Sequence, residues 1–127
     1  MAPAELLDVP ELRAELGGAL RSVAVGNIEE RDYDIVYMRP DVSEEYSAET
    51  QDRIFEDLVF EYVGSSAREE DFEPLGALEF TIRSFENGHV VMCWGDDLLL
   101  YVTLDPSSHF VPPTMRLLEK QLRCHES

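Results

Sequence analysis

The chain is short of positive charge before anything else. Its 127 residues carry 10 basic side chains against 27 acidic ones, Lys120 is the sole lysine, and the formal net charge is −17. With no basic stripe to replace phosphate counterions, direct nucleic-acid binding is not expected. No apolar run approaches the ~18 residues that span a bilayer, so no membrane span is expected. A basic, apolar, small-residue leader is also missing, and the expected location is cytoplasmic. Cysteine is scarce: Cys93 and Cys124 read as free thiols in such a compartment rather than as a disulfide.

Motifs that carry chemistry are equally sparse. His89, His109, His125, Cys93 and Cys124 form no CxxC, HxxxH or HExxH spacing, so no metal site is expected. There is no GxSxG, and no glycine-rich loop leads from strand to helix, which leaves no signal for a nucleotide or other cofactor. A Cys93/His109 nucleophile pair would need an exposed Cys93, yet its neighbours in sequence register are apolar. Acidic pairs such as Asp96-Asp97, Glu44-Glu45 and Glu69-Glu70-Asp71 arise freely among so many acids and read as solvated surface. No catalytic residue is assigned.

What the chain does have is acid in every segment, with 44% apolar residues gathered in periodic runs. That composition resembles proteins of salt-accumulating halophilic archaea. At 1 M salt the Debye length falls to ~3 Å, which screens the self-repulsion of such a surface. The apolar clustering excludes a wholly disordered chain, and the length suits one domain over 1–127.

The stretch from Leu78 to Asp105 reads as three antiparallel strands. Asn87-Gly88 is a type I′ turn signal that would pair Phe85 with Val90, Arg83 with Met92 and Thr81 with Trp94. Asp96-Asp97, a poorer turn pair, would place Trp94 opposite Leu99 and Met92 opposite Tyr101. One face then carries Leu78, Phe80, Ile82, Val91, Cys93, Leu100, Val102 and Leu104 as the core. The other carries Thr81, Arg83, Phe85, Val90, Met92, Trp94, Leu99, Tyr101 and Thr103, too apolar to be left in water.

Upstream, residues 1–9 are expected to fray, and Leu12, Leu16 and Leu20 mark a helix over about 10–21. Gly17-Gly18 inside it signals either an early end or close approach to another element. Residues 22–40 read as a hairpin with Tyr33, Ile35 and Tyr37 on one face and Asp34, Val36 and Met38 on the other. Residues 41–46 read as an acidic loop. Ser47 caps a helix over 48–63 whose stripe is Ile54, Phe55, Leu58, Val59 and Tyr62, with Gly64 after it. Residues 65–76 are an acidic connector, Thr114 would cap a last helix carrying Met115, Leu118 and Leu122, and 123–127 form a tail.

The class is therefore α+β in the order α-β-β-α-β-β-β-α, a five-stranded antiparallel sheet flanked by helices, with the middle helix on one face and the terminal ones on the other. This order resembles the roadblock/LC7 and longin modules and the wider profilin-like group. Tyr37-Met38-Arg39-Pro40-Asp41 and Glu45-Tyr46-Ser47 resemble small haloarchaeal proteins of unassigned function. The roadblock likeness implies a non-enzymatic dimerising module that works through partners, either a second copy or another protein. Its candidate interface is Phe85, Met92, Trp94, Leu99 and Tyr101, unless the first and last helices cover them. A second reading is a small-ligand sensor of PAS-like or profilin-like type, with a pocket between sheet and middle helix lined by Phe55, Phe80 and Trp94. An enzyme of unknown reaction is the third.

Overall fold

The computed structural model describes residues 7–126, without the side chains of residue 66 and of residues 123–126. The predicted fraying of 1–6 and the end of the tail at 127 lie outside the described residues.

The chain folds as α1 (Val9–Leu16), β1 (Leu20–Asn27), β2 (Asp32–Met38), α2 (Pro40–Ser43), α3 (Ala48–Val63), α4 (Ser65–Asp71), β3 (Phe80–Phe85), β4 (Gly88–Gly95), β5 (Leu98–Leu104) and α5 (Val111–Glu126). The α+β class and the expected five-stranded antiparallel sheet are present, in the spatial order β2-β1-β5-β4-β3. Two short helices join the expected set. One turns the acidic loop after Pro40, and the other turns the acidic connector.

Several boundaries move for identifiable reasons. Leu7 is buried, and Asp8 caps α1 by accepting from the Glu11 amide at 3.0 Å, so the ordered chain begins before residue 10. α1 stops at Leu16 because Gly17 takes φ +56, which favours glycine. A Cβ on Gly17 or Gly18 would meet nothing within 4 Å, so the pair ends the helix rather than admitting a neighbour. α3 begins after Ser47, whose hydroxyl accepts from the Thr50 amide at 3.1 Å, and spans the predicted residues. Gly64 is not left-handed, and the chain turns directly into α4. Pro112 and Pro113 fit the first turn of α5, so Thr114 lies inside that helix and donates to the Phe110 carbonyl at 2.6 Å rather than capping it. The expected tail is helical through Glu126.

The β4–β5 register is the predicted one, Trp94 opposite Leu99 and Met92 opposite Tyr101, with Asp96 at φ +53 in the turn. The β3–β4 register is two residues away: Phe85 pairs with Gly88, Arg83 with Val90 and Thr81 with Met92. Asn87 and Gly88 have no positive φ. Gly88 is instead the first residue of β4, and a Cβ there would lie 2.7 Å from the Leu104 carbonyl oxygen, so the glycine serves close approach of backbone. A two-residue shift leaves every side chain on its expected face.

Each face of the sheet has its own core. Toward α1 and α5 lie Leu12, Leu16, Leu20, Val23, Val25, Val91, Cys93, Leu100, Val102, Leu104 and Leu118, with Phe80 at the margin. Ile82, expected in this core, is exposed because β3 is an edge strand of the sheet. Toward α3 lie Ala24, Phe55, Leu58, Val59, Met92, Leu99 and Tyr101. A bulge at Val23/Ala24 breaks the predicted alternation of β2: Tyr33 and Ile35 face α3, while Val36 and Tyr37 pack on the other core.

Candidate functional site

Met92, Leu99 and Tyr101, three of the five sequence-predicted interface residues, are buried beneath α3. Trp94 is half-buried, with its ring edge-on to Tyr62 at 5.5 Å, and Phe85 is exposed on β3. The face judged too apolar for water is thus covered by the middle helix, not by the terminal helices. Phe55 presses onto the sheet at Gly26, where a Cβ would lie 2.3 Å from its ring, and stacks on Tyr33 at 4.8 Å. Phe80 packs on the opposite side, so Phe55, Phe80 and Trp94 cannot line one pocket.

There is nevertheless a groove between sheet and middle helix, displaced along the strands from the Phe55 contact. Its volume is about 740 Å3. The floor crosses all five strands: Ile35 and Met38 of β2, Ser22 of β1, Tyr101 and Thr103 of β5, Val90 of β4, and Arg83 and Phe85 of β3. The roof is one face of α3, formed by Gln51, Ile54, Asp57 and Leu58. Val42, Glu45 and Tyr46, at and just after α2, form the rim. A space of that size with apolar walls and a few convergent polar groups is what small-molecule sites require.

Three hydroxyl-bearing residues meet on the floor. Ser22 and Thr103, paired across β1 and β5, share a hydroxyl–hydroxyl hydrogen bond of 2.5 Å. Tyr101 is two residues along the same face and only 4% exposed. Among the described residues no side chain hydrogen-bonds its hydroxyl, and burial, followed by the nearby Tyr33, pushes its pKa up. It stays a neutral phenol able both to donate and to accept.

The charged residues of the groove are already engaged. Arg21 pairs with Glu45 at 2.7 Å, and Arg83 pairs with Asp57 and, at 3.3 Å, with Glu61. His89 borders the groove but is held at both ring nitrogens, by Ser84 Oγ and by the Pro106 carbonyl, each at 2.8 Å. A carbonyl only accepts, so Nε2 carries the proton toward Pro106. His89 is buried, although it follows directly on the β3–β4 turn.

Arg39 fixes the rim. It grips Asp41 with Nε and Nη2 at 2.7 and 3.0 Å, Asp105 with Nη1 and Nη2 at 2.9 and 3.0 Å, and the Gly18 carbonyl at 2.5 Å. These contacts hold the carboxyls of Asp41 and Asp105 below their ordinary pKa and raise that of Arg39. The motif from Tyr37 to Asp41 therefore ties α2 to the start of β1 and the end of β5. No sequence signal marked Ser22 or Gln51; strand alternation put Thr103 on this face, and the helical spacing marked Ile54 and Leu58.

Cys93 lies in the other core, and burial pushes its thiol up to about 12, which leaves it a poor nucleophile. Among the described residues no group of three or more His, Cys, Asp or Glu is placed to hold a metal ion, and no helix is long and apolar enough to cross a membrane.

A family model described as a domain of unknown function (DUF7522) matches residues 8–122. No curated protein matches the chain.

Proposed function

Since the chain belongs to the DUF7522 family of unknown function, whose match runs from the cap of α1 into α5, we propose from its geometry that it is a small-ligand-binding module of the sensor type. The observation that carries this reading is the groove under α3, walled by apolar side chains and floored by the hydroxyl-bearing Ser22, Thr103 and Tyr101. The acid-rich surface fits a concentrated-salt cytoplasm, where the ligand meets little long-range field.

The neutral dye N-phenyl-1-naphthylamine tests this reading, because its fluorescence rises on entering an apolar site. Saturable enhancement at one site per chain is expected, lost on filling the groove with Ile54→Trp and kept on removing the distant exposed ring with Phe60→Ser. Enhancement that survives Ile54→Trp and disappears with Phe60→Ser would place the dye on the outer surface and refute the reading.

A second reading, a dimerising interaction module, is favoured by exposed Phe60, Val63, Phe72 and Leu75 along α3 and the connector, and by the edge strand β3 with its exposed Ile82 and Phe85. Light scattering in molar salt decides it: a strict monomer at micromolar concentration contradicts self-association.

A further inference from the structure

The groove's chemistry restricts what it can hold. Resting on the reading that the groove is a ligand site, we infer that its ligand is uncharged, with an apolar body lying along Ile35, Ile54, Leu58 and Val90 and a head group that both donates and accepts hydrogen bonds at Ser22, Thr103 and Tyr101.

The walls of the groove disfavour a charged ligand. In a chain of net charge −17, this groove is lined by two arginines and two carboxylates, Arg21, Arg83, Glu45 and Asp57. Each arginine is spent on an acid, Arg21 on Glu45 and Asp105, Arg83 on Asp57 and Glu61. An anionic ligand would share an arginine that a neighbouring carboxylate already neutralises, and would sit beside that carboxylate. A cationic one would share Glu45 or Asp57 with the arginine beside it. Either charge therefore meets a neutralised pair rather than a free counter-charge.

The floor favours a head group that both donates and accepts. In the Ser22–Thr103 pair one hydroxyl hydrogen lies in the shared bond, so the second hydrogen and further lone pairs remain for a ligand. Tyr101 adds a hydroxyl free to take either role. A primary amide or an alcohol meets this set, whereas a hydrocarbon leaves the hydroxyls unanswered. The apolar body follows from Ile35, Ile54, Leu58 and Val90, which are half-buried or buried and line the same space.

Three probes with one tail and different heads separate the possibilities: decanamide, decanoate and decylammonium, titrated by calorimetry in molar KCl. Decanamide is expected to bind about ten-fold tighter than either ion, and the double variant Ser22→Ala/Thr103→Val to weaken decanamide about ten-fold, the size of one buried hydrogen bond lost. Decanoate or decylammonium binding as tightly as decanamide, and being blocked by Ile54→Trp, would overturn the ligand class while leaving the groove as a site. Decanamide binding unchanged by the double variant would overturn the placement of the head group. Failure of all three probes to bind would overturn the groove reading and this inference together.

Discussion

The sheet's two faces are packed from similar residues but closed to different extents. On the side of α1 and α5, twelve of the described residues form one continuous buried apolar core, with α1 packed on β1 and α5 on β4. On the side of α3 there are seven, because a single helix covers the sheet and Phe55 over Gly26 brings it close at one end only. Where helix and strands part, the groove opens, and the sheet face turns from the packed Met92 and Leu99 to Ser22 and Thr103. Hydroxyls lie where apolar packing stops.

That contrast can be broken most strongly on the closed face. Leu100→Ala is expected to cost about 3 kcal/mol in urea unfolding, the range for a buried leucine that leaves a cavity. A loss below ~1 kcal/mol would show that the α1/α5 side is not close-packed. Next in size, Gly26→Ala drives a methyl into the Phe55 ring and is expected to cost about 2 kcal/mol through overpacking. An unchanged melting temperature would mean that α3 is not pinned there.

Asp105→Asn sharpens the rim. Arg39 is the main cause of the depressed Asp105 pKa, so the folded carboxyl holds its proton less tightly than the unfolded one. The stabilisation is therefore full above the ordinary carboxylate value and is lost as pH falls through the folded pKa. Asp105 is about one-third exposed, and solvent screening reduces the expected cost to about 1 kcal/mol at pH 7. The gap between wild type and variant should close on acidification; a gap constant from pH 7 to pH 3 would assign the effect to something other than the ion pair. Smallest of all, Val90→Ala on the groove floor is expected to cost about 0.5 kcal/mol, because that side chain already faces open space. A cost equal to that of Leu100→Ala would mean the groove is filled in solution.

Much of the closed face was legible in the sequence. Val91, Cys93, Leu100, Val102 and Leu104 alternate with period two, and α3 announces both its cap at Ser47 and its stripe. The turn signals were less faithful. Asp96-Asp97 gave the right register, while Asn87-Gly88 misled because Gly88 answers to the Leu104 carbonyl rather than to a positive φ. The bulges at Leu20/Ser22 and Val23/Ala24 carry no proline, and no residue pattern there announces a change of face. The groove itself was least legible. Val90 and Tyr101 were recognised as one apolar face, but a groove is a place where packing ends, and that depends on how far one helix reaches across five strands. Ser22 and Thr103, eighty-one positions apart, become neighbours only when β1 lies beside β5.

Methyl NMR of the chain titrated with decanamide puts the two faces side by side. Methyl resonances of Ile35, Ile54, Leu58 and Val90 should shift together and saturate, while those of Leu12, Val91, Val102 and Leu118 stay in place. Shifts confined to the exposed Val63 and Leu75, or spread equally over both cores, would contradict an open α3 face that receives a ligand.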